Sequence, residues 1–427
     1  MLTFENKTVA LLGLGVSNSA VRDYLIKHHI TPAVYLSKAE ETAKTPDAFY
    51  CKNFFDIKED IVFRSPSLRP DKIKTNGQIF TEIGFALENS VCHKIGITGS
   101  DGKTTTSTLI YEMLKDKYDS FLVGNIGKPL ISEIDSITPR SYVICELSSF
   151  QLFDLCPSLE CAVITSISEN HLDWHKSLLE YIYSKRNILK KAKRAVLCFD
   201  CEYKSFFAHE NITYYSLNDL SSLVGNGSHY VYLKNDTVYY DTKPLFRKGI
   251  TRITGDYNLK NLMTAIGACY PLVSLERIKE VAGTFKGVSH RCEYVGNING
   301  VTFVDSSIDS TPNRSINTLS AFPGKRTIAI MGGYDKNLTY HSLKGTLKSL
   351  KGVIICGQNK EKLLDVSPNG ARVVNTMKEA VSLAYKSAKC GDFVVLTPAS
   401  ASFDMYKNYK EKSKDYKKEI GALNGEN

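Results

Sequence analysis

The sequence of 427 residues lacks the features that mark membrane-spanning, secreted or metal-ribbon proteins. It has no apolar run of 18 residues, so it predicts no membrane-spanning helix. No basic segment precedes an apolar core at the N-terminus, and we expect no signal peptide. Cys198 and Cys201 form one CxxC with no second pair, which disfavours a metal or redox site.

The composition that remains is that of an ordinary globular protein, with 43% hydrophobic and 23% charged residues. Most of the 11 cysteines lie in apolar stretches, as Cys145, Cys161 and Cys356 do. This usage predicts reduced, buried thiols and a cytoplasmic location. The net charge of +9 fits an anionic, phosphate-bearing substrate as well as it fits a nucleic acid.

The N-terminal segment KTVALLGLGVSNSAVRDYLIKHHI predicts a strand, a glycine turn and a helix, the start of a Rossmann-type unit. Asn18 stands where a dinucleotide fingerprint has its third glycine. The second predicted strand ends at residues 35–37 without an acidic residue. Both departures argue against binding of a nicotinamide dinucleotide.

The segment GITGSDGKT at residues 96–104 is the most informative in the chain. A glycine-rich turn that opens a helix presents backbone N–H groups to phosphate. Lys103 would reach the β- and γ-phosphates of a nucleotide, and the Thr104 hydroxyl would ligate Mg²⁺. Ile97 departs from the strict Walker pattern, yet an ordinary βα turn does not explain Lys-Thr at a helix start. The residues assigned to this loop are Gly99, Ser100, Asp101, Gly102, Lys103, Thr104 and Thr105.

Polar residues end the next two apolar strands, YVICE and CAVITSIS. Glu146 at the end of the first is a candidate Mg²⁺ ligand, since ligands bind at the carboxyl ends of parallel strands. His171 lies in the cluster ENHLD after the second and is a candidate ligand as well. Lys185 follows in a helical segment, where the residue pattern alone makes it a surface lysine.

Several of these segments together resemble a known family, the ATP-dependent Mur ligases. GITGSDGKT, ELSSFQL, ENHLDWH, Lys185 and TGDYNLKN occur in the order and spacing of that family, and the resemblance covers nearly the whole chain. It implies an α/β fold of three domains. Residues 1–91 would be a Rossmann-like UDP-sugar domain, and residues 92–287 a P-loop ATPase with a parallel sheet and a small β insertion. Residues 288–427 would be a Rossmann-like domain for the amino acid.

The segments VGNIGKP and LTPASASFDMYKNY resemble those of family members that add D-glutamate to UDP-N-acetylmuramoyl-L-alanine. The resemblance implies an amide ligase of peptidoglycan precursor synthesis that uses ATP and Mg²⁺ and passes through an acyl phosphate. No nucleic-acid or membrane partner is expected. Another Mur ligase or a folylpolyglutamate synthase remains an alternative. A non-catalytic relative would be expected to have lost Lys103, Glu146, His171 or Lys185, and all four are present.

The resemblance also implies roles for single residues. Lys185 falls where the family has a carbamylated lysine that helps to hold a second Mg²⁺ together with His171. The residues implied to contact the nucleotide are Asn258, Asn261, Arg291 and Asp305. Those implied to contact the other substrates are Asn125, Lys336, Ser402, Phe403 and Tyr409. The chain departs from the family pattern at Leu36 in the uridine pocket, at Tyr257 in place of a histidine, and at Ser307 in place of a lysine.

Overall fold

The computed structural model describes residue 4 and residues 6–169, 171–172, 174–253, 255–270, 272–335 and 338–423. Its internal contacts divide the chain into two compact units. The first unit comprises residues 1–249 and 260–281, and the second comprises residues 250–259 and 282–427. Within the described residues, no helix has the length and apolar character needed to cross a membrane.

The first unit begins with a five-stranded, wholly parallel sheet. Its strands are β1 (Val9–Leu12), β2 (Ala33–Leu36), β3 (Ala48–Tyr50), β4 (Ile61–Arg64) and β5 (Gln78–Phe80), in the order β3-β2-β1-β4-β5. The helices are α1 (Val16–Lys27), α2 (Ala39–Ala43) and α3 (Glu82–Asn89). Every residue of β1 and β4 is buried, as expected for central parallel strands covered on both faces.

The same unit continues into a nine-stranded sheet of order β16-β15-β14-β13-β12-β10-β6-β8-β7. Its strands are β6 (His93–Thr98), β7 (Ser120–Gly124), β8 (Tyr142–Glu146), β10 (Cys161–Ile164), β12 (Ala195–Cys198), β13 (Ile212–Ser216), β14 (His229–Lys234), β15 (Thr237–Tyr240) and β16 (Lys243–Arg247). Two short strands, β9 (Ser158–Leu159) and β11 (Lys191–Ala192), pair separately. The helices in this stretch and directly after it are α4 (Lys103–Leu114), α5 (Ser149–Leu152), α6 (Leu178–Arg186), α7 (Asp256–Cys269) and α8 (Leu275–Thr284).

The small β insertion predicted for the central domain corresponds to strands at one edge of the nine-stranded sheet. Strand β14 pairs in parallel with β13, and β15 and β16 follow as antiparallel strands on the same edge. The insertion therefore extends the central sheet. Its tyrosine-rich, alternating sequence fits an edge that is buried on one face.

The second unit carries a six-stranded sheet of order β17-β18-β22-β19-β20-β21. Its strands are β17 (Glu293–Ile298), β18 (Val301–Asp305), β19 (Thr327–Met331), β20 (Gly352–Ile355), β21 (Arg372–Val373) and β22 (Phe393–Leu396). Its helices are α9 (Pro312–Leu319), α10 (Lys344–Lys348), α11 (Lys360–Val366), α12 (Met377–Ser387) and α13 (Tyr409–Leu423). Only β17 runs antiparallel to its neighbour. The predicted α/β class is confirmed, whereas the three domain boundaries stay a prediction.

A buried carboxylic acid, Glu82, joins the first sheet's last helix to the central part of the chain. Its Oε1 accepts a 2.8 Å hydrogen bond from the Ile131 backbone N–H. Burial raises the pKa of Glu82 from 4.5 to about 7, against the lowering effect of the backbone donors. The unfolded chain loses this proton near pH 4.5 and the folded chain only near pH 7, so stability falls as pH rises across that interval.

We expect Glu82→Gln to raise the melting temperature at pH 8 and to leave it nearly unchanged at pH 4.5. The amide keeps an acceptor for Ile131 and removes the charge, a gain on the order of 2–3 kcal/mol at the higher pH. Thermal unfolding at both pH values measures the effect. Glu88→Gln, an exposed position on the same helix, is the control. An equal shift of the Glu82 variant at both pH values would contradict the role of ionisation.

Candidate active site

The turn between β6 and α4 has a shape that only glycine permits at its last residue. Gly102 precedes α4 with φ of 80°, in the left-handed region. A Cβ atom there would collide with Oδ1 of Asn261. Helix α4 has no acidic residue in its first turn. Its first N–H groups are therefore suited to bind an anion, as the sequence predicts.

The two side chains of this turn that carry chemistry are held by different neighbours. The Lys103 Nζ donates to the backbone carbonyls of Gly99 and Ser100, at 2.9 and 3.0 Å. The ammonium group thus lies folded back over the loop. The Ser100 hydroxyl lies 2.7 Å from the hydroxyl of Tyr181 on α6. Burial raises the pKa of Tyr181 to about 12, so its hydroxyl stays protonated and can donate at neutral pH.

Glu146 is the centre of a second group of predicted residues. It ends β8 and is 2% exposed. The Thr104 hydroxyl donates to its Oε2 at 2.8 Å, and the Asn125 amide donates to its Oε1 at 3.1 Å. The structure therefore brings together three residues that were assigned from separate motifs. A carboxylate and a hydroxyl side by side offer oxygen ligands of the kind that Mg²⁺ prefers.

Lys185 is not the surface lysine that the residue pattern alone predicts. It is 2% exposed, and its Nζ donates to the Gly99 carbonyl at 2.8 Å and to the Thr98 hydroxyl at 3.3 Å. Burial lowers the pKa of Lys185 well below its ordinary value, and the nearby Lys103 lowers it further. A buried lysine with a lowered pKa has a larger share of neutral, nucleophilic amine.

His171 lies on the loop after β10, which is the sheet neighbour of β6. It is exposed, and its backbone has φ of 56° in the left-handed region. Its ring stands 4.9 Å from the ring of Phe150. Strands β10, β6, β8 and β7 are consecutive in the sheet. The carboxyl ends of these four strands lead respectively to His171, the glycine turn, Glu146 and Asn125, on one edge of the sheet.

Sequence reasoning missed the residues that support the glycine turn from the β10 side. The Thr165 hydroxyl donates to the Asp101 carbonyl at 2.5 Å, and the Asp101 N–H donates to the Ser166 hydroxyl at 3.0 Å. The available signal was the run TSIS directly after an apolar strand. Thr105 is buried in the first turn of α4, and Asn258 and Asn261 are buried on α7.

In the second unit, Asp305 is the most constrained of the predicted residues. Its carboxylate accepts hydrogen bonds from the Ser307 N–H at 2.8 Å and the Ser413 hydroxyl at 2.5 Å. Burial raises the pKa of Asp305, but hydrogen bonds from His290 and these donors outweigh it and leave the pKa lowered. Arg291 lies in the turn before β17, where its N–H donates to the Val288 carbonyl at 2.9 Å. The nucleotide contacts assigned to Asp305 and Arg291 stay predictions.

The loop after β22 holds the predicted amino-acid residues. Ser402 is 3% exposed, and its hydroxyl has no hydrogen-bond partner among the described residues. Phe403 is 62% exposed, and Tyr409 begins α13 with its ring 5.4 Å from that of His290. Lys336 lies outside the described residues. A cavity of about 490 Å³ adjoins this loop. Its lining includes Tyr334, Gly357, Gln358, Phe403, Asp404 and Met405.

Comparison with known proteins gives two family models that match most of the chain. The Mur ligase middle domain matches residues 97–269. The model described as "Mur ligase, glutamate ligase domain" matches residues 290–400. The first match contains the glycine turn, Glu146 and Lys185, and the second contains Arg291 and Asp305.

Curated relatives match over almost their whole length. A UDP-N-acetylmuramoylalanine--D-glutamate ligase from Acetivibrio thermocellus is 36% identical, and the match covers 98% of this chain and 97% of the relative. Proteins of the same name from Clostridium botulinum and Clostridium kluyveri are 36% and 35% identical, with the same coverage of 98% and 97%.

Solved structures show the same fold at low identity. The UDP-N-acetylmuramate-alanine ligase MurC from Thermotoga maritima has a TM-score of 0.60 and 17% identity, and the match covers 98% of this chain and 100% of MurC. A UDP-N-acetylmuramoyl-L-alanyl-D-glutamate--2,6-diaminopimelate ligase has a TM-score of 0.59 and 16% identity, with 97% and 92% coverage.

Proposed function

The chain belongs to the Mur ligase family, and we propose that it catalyses the ATP-dependent addition of D-glutamate to UDP-N-acetylmuramoyl-L-alanine in peptidoglycan precursor synthesis. The observation that carries this conclusion is the match, at 35–36% identity over 98% of the chain, to relatives that share that ligase name. The eleven free cysteines support a reducing compartment, and we place the reaction in the cytoplasm.

The chemistry requires an activated acyl group, because a carboxylate is a poor acyl donor. The alanyl carboxylate attacks the γ-phosphorus of ATP, ADP leaves, and an acyl phosphate forms. The neutral amine of D-glutamate then attacks the acyl carbon, and inorganic phosphate leaves as the amide forms. Lys103 and the N–H groups that open α4 would neutralise charge that develops on the transferred phosphoryl group.

Mg²⁺ fits the residues that surround Glu146. The Thr104 hydroxyl oxygen lies 2.8 Å from Oε2 of Glu146, so the two residues offer oxygen ligands side by side. The Asn125 amide donates to Oε1 of the same carboxylate. We assign Thr104, Glu146, His171 and Lys185 as the residues that would hold the metal. When bound, Mg²⁺ would supply positive charge that offsets the negative charge of the phosphate groups.

A carbamate on Lys185 would give that side chain the carboxylate it needs as a ligand. The neutral amine attacks the carbon of CO₂, and loss of one proton leaves an anionic carbamate. The lowered pKa of Lys185 favours the neutral amine, and its full burial restricts hydrolysis. The Thr98 hydroxyl donates its own proton to the Leu147 carbonyl at 2.8 Å and accepts from Nζ at 3.3 Å, so it helps to hold the amine in place.

The remaining assignments follow the three larger sheets. Strands β1–β5 lie within residues 1–91, β6–β16 within 92–287 and β17–β22 within 288–427, which supports UDP-sugar, ATP and amino-acid domains in that order. For the nucleotide we assign Gly99, Ser100, Asp101, Gly102, Lys103, Thr104, Thr105, Asn258, Asn261, Arg291 and Asp305. For the other substrates we assign Asn125, Lys336, Ser402, Phe403 and Tyr409.

An acceptor panel tests the function. Phosphate release is measured with ATP, Mg²⁺, UDP-N-acetylmuramoyl-L-alanine and one amino acid at a time. We expect release that depends on D-glutamate and on the UDP-linked substrate together. A preference for L-alanine, L-lysine or diaminopimelate would assign the chain to another ligase of the family. Dependence on a folate in place of the UDP-linked substrate would indicate a folylpolyglutamate synthase.

Ser402→Ala separates binding from stability. The Ser402 hydroxyl is buried without a partner among the described residues, and such a group costs about 1–3 kcal/mol. We therefore expect an unchanged or higher melting temperature, together with a KM for D-glutamate raised about tenfold and a nearly constant KM for ATP. The exposed Ser320→Ala is the control. A raised KM for ATP with normal use of D-glutamate would contradict the assignment.

A further inference from the structure

Two loops of the first unit meet, and each begins at the carboxyl end of a parallel strand. The β4 loop comprises residues 65–69, directly after β4. The β10 loop, between β10 and α6, has the described residues 165–169, 171–172 and 174–177 and carries His171. Carboxyl ends of parallel strands are where open α/β sheets bind ligands. Under the proposed function, on which this inference rests, the first loop belongs to the UDP-sugar domain and the second carries His171, a candidate metal ligand.

The β4 loop is held in one shape by a wholly buried arginine. Arg64 is 0% exposed. Its Nη1 donates to the carbonyls of Pro66 and Leu68, at 3.1 and 3.0 Å. Its Nη2 pairs with Asp154 at 2.5 Å. These contacts fix two backbone carbonyls of the loop, those of Pro66 and Leu68, to a side chain that is itself held by Asp154.

Trp174 and Arg69 connect this loop to the β10 loop. The Trp174 Nε1 donates to the Ser67 carbonyl at 2.7 Å. The Arg69 Nη1 donates to the Trp174 carbonyl at 2.7 Å and to Glu180 at 2.7 Å. The guanidinium carbon also lies 4.8 Å from the ring centroids of both Trp174 and Phe153. Arg69 is only 6% exposed, so these contacts are shielded from water.

The same tryptophan holds the backbone of His171. The Trp174 N–H donates to the His171 carbonyl at 3.1 Å. The ring of Phe150 lies 4.6 Å from the Trp174 ring and 4.9 Å from the His171 ring. His171 has φ of 56°, a conformation that persists only when its surroundings enforce it.

We propose that Arg69 and Trp174 are positioning residues that couple occupation of the β4 loop by the UDP-linked substrate to the placement of His171 at the metal–nucleotide site. Arginine suits this position because one planar group stacks on two rings and also forms hydrogen bonds at its edge. The coupling is reciprocal: Mg²⁺–ATP tightens binding of the UDP-linked substrate by the factor with which that substrate tightens Mg²⁺–ATP.

The test measures binding as well as turnover. Trp174 is the only tryptophan in the chain, so its fluorescence reports on this contact. In the first titration, UDP-N-acetylmuramoyl-L-alanine is added to the wild-type protein alone. In the second, a non-hydrolysable ATP analogue with Mg²⁺ is added, once in the absence and once in the presence of UDP-N-acetylmuramoyl-L-alanine. We expect a change in tryptophan emission and an affinity for the analogue that rises at least about fivefold when the substrate is present.

Arg69→Met keeps the apolar stem and removes the guanidinium. We expect it to abolish the emission change and to reduce the affinity ratio to about one. The melting temperature should fall, because Glu180 loses its ion-pair partner, whereas binding of the analogue alone should change little. Arg140→Met, at an exposed arginine of the same unit, should behave as wild type. Arg69→Lys should restore little of the affinity ratio, because a lysine ammonium group cannot stack on the two rings and also hydrogen-bond to Glu180 and the Trp174 carbonyl. Trp174→Phe, followed by calorimetry, should lower the ratio by a smaller factor, and it provides the test if Arg69→Met does not fold.

An unaltered affinity ratio in Arg69→Met or Trp174→Phe would overturn the inference, as would an equal loss in Arg140→Met. A wild type that shows no coupling but releases phosphate with D-glutamate would overturn the inference and leave the proposed function intact. A wild-type enzyme that shows the coupling but uses an acceptor other than D-glutamate would leave the inference intact and overturn the proposed function.

Discussion

Replacement of Lys185 by alanine should lower turnover by roughly 10²–10³-fold or more, the largest loss we expect from any single substitution in this chain. The side chain is buried and its Nζ lies 2.8 Å from the Gly99 carbonyl, inside the glycine turn. Without it, the site loses the carbamate that would serve as a metal ligand. A short carboxylic acid such as acetate, added in excess, should enter the space left by the side chain and restore part of the activity.

Three measurements decide this prediction. Phosphate release with and without acetate gives the loss and the rescue. Labelled bicarbonate should place a carbamate carbon on the wild type that the Lys185 variant lacks. Lys190→Ala, at an exposed lysine just beyond α6, should retain full activity. A fully active Lys185→Ala enzyme would exclude the role, and a wild type without labelled carbamate would exclude the modification.

Replacement of Lys103 by alanine should lower kcat by about 10²–10³-fold with the fold preserved. Its Nζ donates to two carbonyls of its own turn, those of Gly99 and Ser100. The ammonium is therefore positioned to interact with phosphate oxygens at the same place. Because charge on those oxygens develops during phosphoryl transfer, the effect should fall on kcat more than on the KM for ATP.

Lys115→Ala provides a matched control, since Lys115 is the exposed C-cap residue of the same helix. Circular dichroism and thermal unfolding establish that both variants are folded. Normal turnover by a folded Lys103→Ala enzyme would show that the glycine turn is not the phosphate site. Loss of activity in the Lys115 variant would instead point to a general effect on α4.

Features whose geometry depends only on residues close together in the sequence could be predicted from the sequence. The glycine turn at residues 99–102, the apolar run into β6 and the helix after it form one contiguous motif. Its geometry depends on backbone preferences and helix-end chemistry, which are properties of neighbouring residues. The presence of Asn18 at the third glycine position of a dinucleotide fingerprint could be read from the sequence for the same reason, since that motif is also contiguous. In the structure, the Asn18 amide donates to the carbonyls of Leu12, Gly13 and Phe63 instead of leaving the turn open.

Residues whose role depends on burial could not be assigned by pattern. Lys185 is flanked by polar and charged residues in a short helix, and only the packing of α6 against the glycine turn buries its Nζ. The resemblance to a family supplied a role for it that residue physics alone did not. Glu82 is comparable, because its raised pKa depends on a segment that lies 49 residues further along the chain.

The sequence by itself determined the α/β class, the glycine turn and the polar residues at the ends of β8 and β10, because strand periodicity and turn chemistry are local. The tertiary structure alone decided that Glu146 accepts hydrogen bonds from both Thr104 and Asn125. It also decided that the Ser402 hydroxyl is buried without a partner in the described residues, and that Arg69 donates a hydrogen bond to the Trp174 carbonyl. These facts depend on the order of strands in each sheet, which places residues 105 positions apart in contact. No local pattern encodes that order, since it follows from the packing of whole layers.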